Sequence, residues 1–172
     1  MPPIYDREAV EPMWEELVAV GFTPLTSPEE VDAVLGDSPS GTVLLVINSV
    51  CGCAAGSCRP AVMEALQNKR IPDRLVTVFA GVDTEATEQA RSYLTGYAPS
   101  SPNIILIKDG NPIMVMERRH IEGSMPQEIA EVLREFFDQE CTAEGPSIPR
   151  EQFEKLIPVQ ECGSSIPLYP GD

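Results

Sequence analysis

Thr42-Val43-Leu44-Leu45-Val46-Ile47-Asn48-Ser49-Val50-Cys51-Gly52-Cys53-Ala54-Ala55-Gly56 decides the fold. Val43 to Ile47 is uniformly apolar and rich in β-branched residues, too short for a helix, and reads as a buried strand. Ala54, Ala55, Ala61, Val62, Met63, Ala65 and Leu66 are mostly strong helix formers, so a helix follows. Cys51 and Cys53 therefore fall at a strand end and a helix start. The unpaired N–H groups and partial positive charge of a helix start favour a thiolate over a thiol. Gly52 is expected to let the backbone turn tightly between the thiols. This is the geometry of a redox dithiol. Two buried core cysteines, or two ligands of a metal site, are the competing readings. Buried cysteines, however, rarely sit one residue apart across a strand–helix junction.

Working outward, residues 4–20 read as a helix with an apolar stripe of Val10, Met13, Trp14, Leu17 and Val18, started or kinked near Pro12 and stopped at Gly21. Ser27-Pro28-Glu29-Glu30 predicts a helix start closed by a capping box. Pro60 should kink the helix that carries the cysteines. Leu75–Phe79 is a second strand, parallel to the first through a right-handed crossover. Asp83 is placed to cap a helix from about Thr84 to Leu94. Asn103–Ile107, the hairpin signal Asp109-Gly110-Asn111 and a return strand with Ile113, Val115 and Met116 follow. Ser124 is expected to cap a last helix, with Ile129, Val132, Leu133, Phe136 and Phe137 on its apolar face. The order is β-α-β-α-β-β-α behind leading helices. It predicts an α/β, thioredoxin-like fold, a central mixed sheet flanked by helices, with a C-terminal extension.

At 172 residues the chain reads as one domain, 1–141, with an extension, 142–172. Pro146, Pro149, Pro158, Pro167 and Pro170 break up the extension, and one short helix is expected at about Arg150–Leu156. Phe153, Leu156, Ile157, Val159, Ile166, Leu168 and Tyr169 are worth burying, so the extension should pack on the domain or on a partner subunit, which leaves a homodimer open. A net charge of −15 argues against nucleic-acid and anionic-membrane partners. No basic, apolar leader opens the chain and no apolar run could span a membrane, so a cytoplasmic protein is expected. Five cysteines in such a chain do not read as structural disulfides.

Asn48-Ser49-Val50-Cys51-Gly52-Cys53-Ala54-Ala55-Gly56 followed by Arg59-Pro60-Ala61 closely resembles the bacilliredoxin family, thioredoxin-fold proteins with a Cys-Gly-Cys site. The resemblance extends to Val76–Gly81 with Asp83, to Gly96 with Ala98-Pro99-Ser100-Ser101-Pro102, and to Ile121-Glu122-Gly123, covering roughly residues 4–141. It implies a thiol–disulfide oxidoreductase that removes bacillithiol from S-bacillithiolated protein cysteines. The implied partners are S-thiolated or disulfide-containing proteins and a low-molecular-weight thiol, bacillithiol itself as co-substrate. No other cofactor and no metal is expected. Nothing in the residues themselves points to bacillithiol.

Cys51, the outermost thiol at the strand end, is assigned as nucleophile and Cys53 as the resolving thiol, an order the resemblance also implies; reversed roles are the alternative. A disulfide across one intervening residue closes a small ring, and strain should make it easily reduced. The resemblance places a cis-proline at Pro102, with Ser101 before it pairing with substrate backbone; Pro99 competes for that place, and cis is a minority state for any X–Pro bond. Arg59 is read either as a ligand for a thiolate or a small thiol's carboxylate, or as a surface helix arginine. Cys58 lies seven residues from Cys51, about 10 Å along a helix and beyond the roughly 7 Å reach of a disulfide, so it reads as a packed helix residue. Cys141 should end the last helix, and Cys162 belongs to the extension. His120 could serve as a base but reads better as a solvated loop residue. Two other functions remain. One is a disulfide isomerase or general reductase in the same fold. The other is a metal or iron–sulfur module on Cys51, Cys53 and Cys58, with a fourth ligand from Cys141, Cys162 or His120, although Cys-x-Cys-x4-Cys is not a standard zinc spacing.

Overall fold

The computed structural model describes residues 1–36, 39–156 and 166–171. In chain order the elements are α1 Glu11–Ala19, β1 Thr23–Pro24, α2 Pro28–Leu35, β2 Thr42–Asn48, a π-helical turn Ala54–Cys58 running into α3 Arg59–Ala65, β3 Arg70–Ile71 and β4 Arg74–Phe79. Then come α4 Thr84–Ser92, β5 Asn103–Lys108, β6 Asn111–Met116, α5 Arg118–Ile121, α6 Pro126–Glu140, β7 Ala143–Glu144 and α7 Arg150–Glu154.

All seven residues of β2 are buried, because it is the middle strand of a sheet ordered β1-β4-β2-β5-β6 with helices on both faces. Successive side chains alternate between faces. Leu44 and Val46 join Ile104 and Leu106 of β5 in a cluster under α3 and α6. Val43, Leu45 and Ile47 join Ile105 and Ile107 in a second cluster under α2 and α4. β1 and β2 run parallel to β4, whereas β5 is antiparallel to β2 and β6 to β5. This is the mixed α/β arrangement of a thioredoxin-like fold. The β5–β6 hairpin turns through Asp109 and Gly110, both at positive φ, as a tight two-residue loop requires. Pro112 is tolerated because β6 is an edge strand.

Several local expectations are corrected. Helix α1 covers only Glu11–Ala19, with Pro12 in its first turn. Residues 4–6 instead run along the domain, where the Ile4 amide donates to Gly81 O at 2.7 Å and Tyr5 bridges to Leu168. Pro60 does not kink a continuous α-helix. A π turn precedes it, and Pro60 occupies the first turn of α3, where its missing N–H costs least. Ser27 does cap α2, accepting from the Glu30 amide at 3.2 Å. The Glu30 carboxylate, however, reaches back to the Thr26 amide at 2.7 Å rather than to Ser27. Asp83 makes no capping bond and instead pairs with Arg7. Ser124 is not the cap of α6; its hydroxyl donates to His120 O at 2.9 Å. The first turn of α6 is closed by Glu128, which accepts from the Met125 amide at 3.2 Å.

The extension packs where it is described. β7 pairs antiparallel with β3, Phe153 and Leu156 lie against the α3–α6 cluster, and Ile166 is buried with Val10, Met13, Val50, Phe79 and Val82. Leu168, expected to be buried, is 69% exposed, since only its backbone engages Tyr5. Ile157, Val159 and Cys162 lie outside the described residues. Among the described residues no helix is long and apolar enough to cross a membrane.

Candidate active site

The pairing of β2 with its neighbours assembles the site. Ile47 sits opposite Asn103 of antiparallel β5, which brings Ser101-Pro102 beside the residues that follow β2. Asn48 pairs with Phe79 of β4, and the Ala80 amide donates to Asn48 O at 3.0 Å, which brings Ala80 and Gly81 to the other side. The Ser101–Pro102 bond is cis, as the resemblance implied. Beside it, the Arg118 amide donates to Ser100 Oγ at 3.3 Å, setting α5 against the same loop. Cys51, Ser49, Ser101, Arg118 and, from α4, Thr87 and Arg91 line one groove of about 390 Å³.

Cys51 caps the helix that follows. The Ala54 amide donates to Cys51 Sγ at 3.4 Å, and the Ser49 hydroxyl donates to the same sulfur at 3.1 Å. Burial opposes ionisation of Cys51 and is the largest single influence. The Ser49 and Ala54 hydrogen bonds, the Cys53 thiol and the Arg118 charge together outweigh it, and the pKa falls below the ordinary thiol value. Cys53 is shifted the opposite way, by burial first and then by the charge and hydrogen bond of Cys51. The two thiols are free and half-buried, and Cys53 packs on the α3–α6 cluster. Gly52 does not serve as a tight turn. It is helical without positive φ, and a Cβ there would meet nothing within 4 Å, so glycine leaves the surface between the thiols uncovered.

Arg59 departs from the sequence expectations. It is not a surface arginine, it does not line the groove beside Cys51 where a small thiol's carboxylate would lie, and it is not among the groups that lower the Cys51 pKa; its side chain is fully buried and turned inward. Its Nε donates to Glu16 Oε2 at 3.0 Å. Its Nη1 donates to Asn48 Oδ1 at 3.0 Å and to Ser49 O at 2.9 Å. The Ser49 amide in turn donates to Asn48 Oδ1 at 2.9 Å. Arg59 thus clamps the segment that carries Ser49 to Cys51, from behind. The reason lies in α1, whose Glu16 supplies a buried counter-charge that no local pattern around Arg59 announces.

Cys58 is fully buried and its pKa is pushed up to about 12 by burial. Cys141 ends α6, 2% exposed, and burial raises its pKa to about 11. Neither is poised to react. His120 is exposed in α5, where its Nδ1 accepts from the Glu117 amide at 3.0 Å. Among the described residues no three His, Cys, Asp or Glu side chains gather in a way that could hold a metal. Sequence reasoning assigned no role to Ser49, Thr87, Arg91 or Arg118. Ser49 was legible in principle, as a hydroxyl two residues before a helix-start thiol. The other three reach the groove only through tertiary folding.

A family model described as disulphide isomerase matches residues 5–141. The chain is 51% identical over 143 residues to a bacilliredoxin of Salinibacter ruber, covering 83% of this chain and 84% of that protein. A bacilliredoxin of Halalkalibacterium halodurans is 50% identical over 136 residues, 79% of this chain and 92% of its own. One from Staphylococcus haemolyticus is 49% identical over 138 residues, 80% and 94% of the two chains.

Proposed function

Since the chain belongs to the disulphide-isomerase family that includes the bacilliredoxins, and is a thiol–disulfide oxidoreductase of bacilliredoxin type, we propose that Cys51 is its nucleophile, Cys53 its resolving thiol, and a bacillithiol-capped protein cysteine its substrate. Two hydrogen bonds carry the assignment: the Ser49 hydroxyl and the Ala54 amide both donate to Cys51 Sγ and favour its thiolate. The thiolate, not the thiol, attacks a disulfide.

In the first step Cys51 Sγ attacks the small thiol's sulfur in the capped substrate. The substrate S–S bond breaks, a Cys51 mixed disulfide forms, and the protein leaves as its thiolate. Cys53 then loses its proton and attacks Cys51 Sγ. The small thiol departs as thiolate and a Cys51–Cys53 disulfide remains. The two electrons that reduced the cap come from the dithiol, and two equivalents of thiol, released as their disulfide, or a reductase must restore it. Once Cys51 is in a mixed disulfide its negative charge is gone, which removes the influence that, after burial, does most to raise the Cys53 pKa. Resolution therefore becomes easier only after capture. Ser101, ahead of the cis bond and lining the groove, is proposed to meet substrate backbone.

Reversed roles would require Cys53, whose thiol is the one shifted away from ionisation, to attack the substrate. The family description favours disulfide isomerisation as a second reading. Incubating Cys53→Ser with an S-bacillithiolated protein should trap bacillithiol on Cys51, seen as a mass addition on the peptide that contains it. Full reduction of the substrate by Cys51→Ser would sink the assignment. Faster reactivation of scrambled ribonuclease than removal of bacillithiol would favour the isomerase.

A further inference from the structure

The groove beside Cys51 holds more hydrogen-bond donors than the disulfide chemistry uses. Thr87 is 2% exposed, and its Oγ1 is buried without a partner. Arg91 spends Nη2 on Ser100 O at 3.0 Å, yet its Nε is buried without a partner. Arg118 faces Cys51 and touches Glu122 only at 3.9 Å. Glu88 is the one carboxylate among the described residues that line the groove, so two guanidiniums stand against one lining acid, with Glu122 at the edge, in a chain of net charge −15. Burying polar groups without partners costs free energy and calls for an explanation. Here the missing partner must be an acceptor, and an anionic one suits two arginines. A carboxylate offers two oxygens in the plane a guanidinium recognises.

We propose that Thr87, Arg91 and Arg118 form a carboxylate-binding subsite beside Cys51, and that the small thiol carried on Cys51 bears a carboxylate which docks there. The inference rests on Cys51 being the nucleophile and deepens that reading by naming what holds the leaving thiol. A groove of about 390 Å³ suits a small molecule. The timing also fits. Formation of the mixed disulfide removes the thiolate that Arg118 faced, and the carboxylate replaces that charge. The carboxylate takes no part in bond-making; it holds the small thiol's sulfur in place as the leaving group when Cys53 attacks Cys51 Sγ.

The test oxidises the reduced protein with two probes, dithiodipropionate and its neutral diamide, and follows loss of the Cys51 thiol by quenched alkylation and mass spectrometry. Wild type should react about tenfold faster with the dicarboxylate, the scale of a hydrogen bond to a charged group. Thr87→Val, which removes the hydroxyl at nearly constant volume and charge, should bring the rate ratio most of the way to one. Thr87→Ser, which keeps the hydroxyl, should preserve it. The ratio cancels any general change in Cys51 reactivity. A ratio near one in wild type, or one unchanged in Thr87→Val, overturns the subsite while leaving Cys51 as nucleophile. Failure of both probes to oxidise Cys51 overturns the nucleophile assignment and this inference with it.

Discussion

At the scale of single residues, Ser49 decides how Cys51 behaves. Its hydroxyl gives one hydrogen bond, at 3.1 Å, to the sulfur, and it is the foremost of the influences that lower this pKa against the penalty of burial. An acid whose pKa is depressed keeps its anion at pH values where an ordinary thiol is protonated, and loses it only as pH falls through the lowered value. Ser49→Ala should therefore move the pH profile of Cys51 alkylation to higher pH. At neutral pH the alkylation rate should fall, by about tenfold or less. Iodoacetamide kinetics across the neutral range, with Cys53→Ser as background, measure this. An unshifted profile would show that the hydroxyl does not hold the thiolate.

At the scale of elements, the buried Arg59–Glu16 pair is the joint between α1 and α3. Arg59 is fully buried and Glu16 is 8% exposed, so each charge is offset in large part by the other. Removing one partner of such a pair costs about 3–5 kcal/mol, because the remaining charge is stranded. Arg59→Met should lose stability on that scale in urea denaturation. Glu16→Gln combined with Arg59→Met should lose less than the sum of the single changes, a coupling that a double-mutant cycle reads directly. Arg59→Met should also slow Cys51 alkylation, since Arg59 Nη1 holds both Asn48 Oδ1 and Ser49 O. The π turn Ala54–Cys58 belongs to this scale as well. It precedes Pro60 and brings buried Cys58 and buried Arg59 to the same inner end of the helix.

At the scale of the molecule, the C-terminal extension packs on the domain where it is described. Ile166 is 6% exposed and shares a cluster with Val10, Met13, Val50, Phe79 and Val82. Val50 precedes Cys51, so the extension reaches the back of the active segment. Ile166→Ala should cost about 2–5 kcal/mol, the range for truncating a buried isoleucine. It should lower the midpoint of one urea transition rather than produce a separate early one. An unchanged midpoint would mean that this part of the chain only rests on the domain.

Much of this was legible in the sequence because the signals are local. The apolar run Val43–Ile47 could only be a strand, Asp109-Gly110 could only turn a hairpin, and the placement of Cys51 before helix-forming residues implied a lowered pKa. Helix rise placed Cys58 beyond disulfide reach of Cys51, while its full burial was decided by packing. Pro102 could be placed, though its cis bond came from resemblance, since an X–Pro dipeptide fixes neither isomer. Tertiary structure alone decided the fate of Arg59, because burying a guanidinium depends on a carboxylate 43 positions away in sequence. It alone brought Thr87, Arg91 and Arg118 to Cys51, through a helix and a loop that meet only when β4 and β5 flank β2. Hydrophobic periodicity fixes which face of an element is inward. Which charges meet there is set by strand order and register, and no single stretch of chain contains that information.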